Sequence, residues 1–217
     1  MQKTVVEAYI EFRGQLIIAV SGLPGCGKLA LAKNISKLFK LKLIDQNDYF
    51  KLNYDKKIDI KLNMENEDKN ISVINWYTDD AIDWHQLNRD LDMYKMNGIV
   101  MCGFAFPKDK IISKIDYHIH LNINKQVCLD RRAKNPDPKS IKDIPDKVLM
   151  NKLIYPYYLD IKERSNFDYN LNITDMTDNN VFDVIFDVLI KYIQNWLKNR
   201  NSVEKCKGIK IEANLDK

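Results

Sequence analysis

Apolar residues along this chain arrive in short blocks, and the spacing inside each block switches between continuous and helical. Residues 15–21 are a continuous, largely β-branched run closed by Gly22, the pattern of a strand buried on both faces. From 28 to 40 the apolar residues fall at 31, 35, 38 and 39, which is helical spacing. Residues 41–44 read as a second short strand, ending in Asp45-Gln46-Asn47-Asp48. Residues 51–70 are crowded with Lys, Asn, Asp and Glu and predict an exposed, mobile excursion.

A helix is predicted over 79–96, with Asp79 or Asp80 as its cap, a partial stripe at Ile82, Leu87, Leu91 and Tyr94, and Asn97-Gly98 as its stop. Strands follow at 98–104 and 115–121, then a short helix over 124–134 that ends in basic residues. Asn135-Pro136-Asp137-Pro138 breaks the chain. Residues 145–163 read as a helix interrupted near Pro156, 167–173 as a fifth strand and 178–199 as an amphipathic closing helix. Strands alternating with helices imply an α/β fold: a parallel sheet of about five strands with helices on both faces. The reading is one domain over 1–200, with a small lid at about 131–150 and a polar tail over 201–217.

Composition narrows the class without naming it. The 217 residues carry 34 basic against 30 acidic side chains, a balance that gives no sign of a nucleic-acid partner and suits small anionic ligands equally well. The apolar run at 16–20 is far too short to span a membrane, and residues 1–13 lack the continuous apolar stretch of a secretion signal. Cys26, Cys102, Cys128 and Cys206 show no C-x-x-C spacing and read as free thiols of a cytoplasmic protein.

The chemistry begins at residue 22. Gly22-Leu23-Pro24-Gly25-Cys26-Gly27-Lys28 is a phosphate-binding loop between a predicted strand and a predicted helix. Its glycines let the backbone curl so that successive N–H groups face a phosphate, and Lys28 adds a point charge. Ser or Thr should follow to hold Mg²⁺; Leu29 stands there instead. Asp48 lies just past the second strand, where open parallel sheets bind their ligands. A carboxylate there can take a proton from an attacking hydroxyl, and Asp45 competes for the role. Arg131 and Arg132 close a helix before the Pro-broken segment, and guanidinium groups on a lid suit transferring phosphates. Two arginines can equally stabilise a helix C-terminus. His118 and His120 alternate on a strand, but no third ligand accompanies them, so they read as structural. No protein metal ligands are assigned.

The phosphate loop, Asp48-Tyr49-Phe50-Lys51, Asn75-Trp76 with Asp80-Ala81-Ile82-Asp83-Trp84, Gly103-Phe104 and Arg131-Arg132 occur in the order seen in the uridine kinase and nicotinamide riboside kinase group, which residues 15–175 resemble. The resemblance implies a three-layer P-loop NTPase sandwich and an ATP- and Mg²⁺-dependent kinase acting on a nucleoside 5′-hydroxyl. It implies that Asp48 is the general base, that Arg131 and Arg132 clamp phosphates, and that Tyr49, Phe50, Trp76 and Tyr77 lie at the acceptor. Against the group's pattern, Leu29 replaces a metal-holding hydroxyl, Tyr77 an Asp that grips ribose hydroxyls, and Cys102 an acidic residue that organises Mg²⁺. Those departures support an alternative: a kinase-like protein that binds nucleotide as a sensor or interaction module.

Overall fold

The computed structural model describes residues 3–63, 68–134 and 144–206. Five parallel strands form the central sheet: β1 (Ile17–Gly22), β2 (Lys42–Asp45), β5 (Ile99–Gly103), β6 (Tyr117–Asn122) and β7 (Tyr169–Asn172), in the spatial order β2-β5-β1-β6-β7. β3 (Lys57–Asn63) and β4 (Asp68–Ile74) pair antiparallel as a separate hairpin. The helices are α1 (Val5–Arg13), α2 (Lys28–Phe39), α3 (Trp84–Tyr94), α4 (Lys125–Lys134), α5 (Asp146–Leu149), α6 (Tyr155–Glu163) and α7 (Asp178–Cys206).

β1 is buried at every position, and its alternate residues serve opposite faces as a pleated strand requires. Ile18 and Val20 pack with α1, α2 and α7, while Ile17 and Ala19 pack with Leu87 and Leu91 of α3. A third cluster joins Leu23 and Phe104, just past the ends of β1 and β5, to the helical stretch 149–161 and to Ile60, Leu62 and Val73 of the hairpin. The three-layer α/β sandwich expected from the sequence is therefore the observed fold.

Several local expectations change. The excursion at 51–70 is largely the β3–β4 hairpin; residues 64–67 lie outside the described residues. Ile60 and Leu62 are buried while Asp59 and Lys61 are exposed, so the charges are the solvent face of an alternating strand. The third helix starts later than predicted: Asp83 is its cap and accepts from the Gln86 N–H at 2.9 Å. Asp79 instead pairs with Lys110 and Arg164. An unpredicted helix, α1, opens the chain on a capping box between Thr4 and Glu7.

The interruption near Pro156 is a π-helical turn over Met150–Ile154, with Pro156 in the first turn of α6. The widened turn absorbs the missing N–H and the ring of proline without ending the helix. α7 runs to Cys206 and so crosses the expected boundary at 200. Its buried stripe is Val181, Ile185, Leu189 and Ile193. Residues 207–217 of the tail, and residues 135–143 of the expected lid with Pro136 and Pro138, lie outside the described residues.

Candidate functional site

The phosphate loop connects the buried end of β1 to α2. Gly25 and Gly27 have φ of +99° and +87°, a region that favours glycine. At Gly25 space is also closed: a Cβ would stand 2.9 Å from Arg132 Cγ and 3.2 Å from the Cys128 carbonyl oxygen. Gly27 caps α2 with no side-chain hydrogen bond, and no acidic residue occupies the first turn. The helix N-terminus therefore offers its N–H groups and positive dipole end to an anion. Lys28 Nζ stands 3.3 Å from the Leu23 carbonyl oxygen and 5.7 Å from the centre of the Phe104 ring. Cys26 and Leu23 are buried beneath the loop, and the Cys128 thiol donates to the Pro24 carbonyl oxygen at 2.7 Å.

The loop opens into a cleft of about 750 Å³. Pro24, Gly25, Gly27, Lys28 and Leu29 form one side, and Phe50, Trp76, Tyr77 and Phe104 the other. Phe50 meets Trp76 edge-on at 5.6 Å between ring centres, and Tyr77 meets Phe104 at 5.9 Å. This wall suits a flat, partly apolar ligand. The hairpin leads straight into it, since β4 ends at Ile74.

Asp48 does not line this cleft; Asn47 does. A single 3₁₀ turn, Gln46–Tyr49, follows β2, and Asp45 caps it by accepting from the Asn47 N–H at 3.0 Å. Asp48 and Tyr49 line a neighbouring groove of about 360 Å³, with Phe50 shared between the two. Tyr49 donates to Asp90 at 2.7 Å, and burial, with Asp90 beside it, raises its pKa. Cys102 is fully buried in β5, and burial first, then Asp45, pushes its thiol up to about 12.

The two arginines both line the cleft but hold different partners. Arg132 is 5% exposed and donates from Nε and Nη2 to Asp146 at 2.7 and 2.6 Å, a bidentate fork. Arg131 reaches the Met176 carbonyl oxygen at 3.4 Å and lies 4.0 Å from Asp178. Asp178 is the one carboxylate lining the cleft among the described residues, against Lys28, Arg131, Arg132 and Lys134. Asn47, Lys134 and the 176–178 segment were not singled out from the sequence.

The residues fit the phosphates of ATP: an uncapped helix, a loop closed to any Cβ at Gly25, and a cation at Lys28. They do not fit protein-held Mg²⁺. Leu29, in the first turn of α2, packs partly against the core cluster, and Cys102 is sealed in the sheet. Among the described residues no group of three or more His, Cys, Asp or Glu could hold a metal ion. Nor is any helix there long and apolar enough to cross a membrane.

Fold and loop together define a P-loop α/β sandwich with a cleft at the carboxyl ends of its strands. No protein-family model matches the chain. A nicotinamide riboside kinase of Saccharomyces cerevisiae is 30% identical over 84 residues, which cover 38% of this chain and 31% of that protein. A gluconokinase from Sinorhizobium meliloti 1021 matches in structure with a TM-score of 0.54 at 12% identity, over 85% of this chain and 97% of that one. A candidate fructose transport system kinase from Silicibacter sp. TM1040 matches with a TM-score of 0.51 at 11% identity, over 78% of this chain and 100% of that one. These two structures share the fold.

Proposed function

We propose that the chain is an ATP-dependent small-molecule kinase that phosphorylates the 5′-hydroxyl of a nucleoside of the uridine, cytidine or nicotinamide riboside type. The observation that carries this is the meeting of the phosphate loop and the aromatic wall in one cleft. The yeast nicotinamide riboside kinase supports it over the matched segment. In this reading Gly22 to Leu29 seat the triphosphate with Lys28 on its outer phosphates. Arg131 steadies the transferred group, Arg132 braces the loop from below, and Phe50, Trp76 and Tyr77 shape the acceptor site.

The acceptor oxygen attacks the γ-phosphorus, the bond from that phosphorus to ADP breaks, and the hydroxyl proton passes to Asp48. Asp48 must then turn by about one position on the 46–49 turn to enter the cleft. The test is a panel of nucleosides offered with ATP and Mg²⁺ to the full chain, read by product mass. One nucleoside should gain a single phosphoryl group. Asp48→Asn should keep ATP affinity and lose the product; undiminished turnover would remove Asp48 as the base.

A second reading, nucleotide binding without transfer, is favoured by Asn47 rather than Asp48 lining the cleft. It expects ATP binding that is indifferent to Mg²⁺ and no product from any nucleoside.

A further inference from the structure

Beneath the phosphate loop lies a buried polar chain that the proposed reaction does not use. Ser21, the residue before Gly22, is fully buried. Its Oγ lies 2.8 Å from His118 Nε2 and 2.9 Å from His120 Nδ1. His120 Nε2 in turn lies 2.7 Å from the Tyr158 hydroxyl. Phe167 packs on both imidazoles, at 4.7 and 4.3 Å between ring centres, and burial lowers their pKa values to about 4 for His118 and about 3 for His120. Both rings are therefore neutral at pH 7, each with one N–H.

One set of directions gives every donor in the chain an acceptor. The Asn166 backbone beside His118 favours its protonated form, which suits a neutral ring with its N–H on Nδ1, away from Ser21. His118 Nε2 then accepts from the Ser21 hydroxyl at 2.8 Å, nearer than that hydroxyl's other acceptor, the Ile119 carbonyl oxygen at 3.4 Å. Ser21 has one proton, so its Oγ accepts from His120 Nδ1–H. His120 Nε2 accepts from the Tyr158 hydroxyl.

The same helical stretch that carries Tyr158 begins at Asp146, which holds Arg132. The Arg132 side chain, together with Cys128, closes the space over Gly25. The root of the loop, at Ser21, and its tip, at Gly25, are thus both held from residues 146–163, with the π-helical turn between the two grips.

We infer that Tyr158, His120, Ser21 and His118 are positioning residues, a one-way hydrogen-bond chain that sets the root of the phosphate loop from the helical stretch that also braces its tip. The inference rests on the loop binding nucleotide, as proposed above. The test uses the ¹⁵N-labelled full chain and its Tyr158→Phe variant. In the wild type at pH 7, both imidazoles should be neutral and protonated at Nδ1. Tyr158→Phe removes the one hydrogen-bond donor to His120 Nε2 among the described residues. His120 should then shift towards the Nε2–H form, and ATP should bind about 3- to 10-fold more weakly, the loss of roughly one buried hydrogen bond.

A wild-type His120 protonated at Nε2 overturns the chain without any variant having to fold. Tyr158→Phe that melts earlier but binds ATP within twofold of wild type makes the chain structural only. Failure of the wild type to bind ATP removes the proposed function, and the positioning role with it. A wild type that binds ATP and a variant that binds it equally well remove the positioning role alone.

Discussion

The two sides of the cleft are built from different material. The phosphate side is backbone: a glycine-rich curl, an uncapped helix end and one lysine, held from below by buried side chains. The acceptor side is side chain: an aromatic wall from the hairpin end and the 3₁₀ turn, with Asn47 where a carboxylate was expected. Backbone recognition depends on the path of the chain, which tolerates Leu29 in the sequence that follows. Side-chain recognition depends on which atom faces the ligand, and one substitution removes it. The comparison predicts that this protein keeps phosphate binding more securely than it keeps acceptor chemistry.

The largest expected effect separates the two arginines. Arg132→Ala leaves Asp146 without its bidentate partner beneath the loop and opens a hole against Gly25. Asp146 keeps some exposure, so a loss of about 3 kcal/mol is expected, the low end for breaking a buried pair. Arg131→Ala removes a 4.0 Å contact to an Asp178 that is 78% exposed, and should change stability by less than about 1 kcal/mol. Its effect should fall on ATP affinity or turnover instead. Denaturant unfolding and ATP titration of both variants would check this. Equal losses of stability would mean that the arginines are not divided between bracing and binding.

The same pair explains what was legible in the sequence. Adjacent helical residues point about 100° apart, so Arg131 and Arg132 take different partners although both line the cleft. Neighbours on a 3₁₀ turn diverge by about 120°, which is how Asn47 and Asp48 come to line different grooves. The sequence located both segments but could not choose within them, because the choice depends on where the turn begins.

The curl of the loop at 22–28 was legible, since it is a matter of backbone and glycine announces the backbone. The five strands were legible from their apolar runs. The hairpin was not: its period-two alternation at Ile58, Ile60 and Leu62 was present, but the charges between these residues resembled a solvated excursion. Helix α1 was also signalled, by Thr4 and Glu7 at capping-box spacing. The His118–Ser21–His120 contact could not be read, because it needs the register that sets β6 beside β1.

That register makes the phosphate side respond to acid. His118 and His120 have folded pKa values of about 4 and about 3, below the ordinary value of about 6.5. As pH falls below about 6.5, the unfolded chain takes up protons that the folded chain refuses, so stability falls. The expected slope is up to about 1.4 kcal/mol per pH unit for each imidazole until the folded values are approached. Melting curves between pH 7 and pH 4.5 should show it, and His118→Gln should flatten it. An unchanged slope in that variant would put the acid response elsewhere, though not on Asp116, whose raised pKa makes the folded state gain stability as pH falls.

The smallest effect decides which of the two sides limits turnover. Leu29 lines the cleft while part of its side chain packs on the core, so Leu29→Thr trades apolar contact for a hydroxyl beside the phosphates. The lost packing should cost about 1 to 2 kcal/mol of stability, which must be measured separately from turnover. If the protein is a kinase short of a metal-holding group, the hydroxyl should raise Mg²⁺-dependent product formation several-fold and lower the Mg²⁺ concentration needed for half the rate. If the limitation lies instead at Asn47, the same variant should bind ATP with a sharper Mg²⁺ dependence and form no more product. Only a further Asn47→Asp change would then raise turnover. The order in which the two substitutions act would show whether the metal or the proton acceptor is the first thing this cleft lacks.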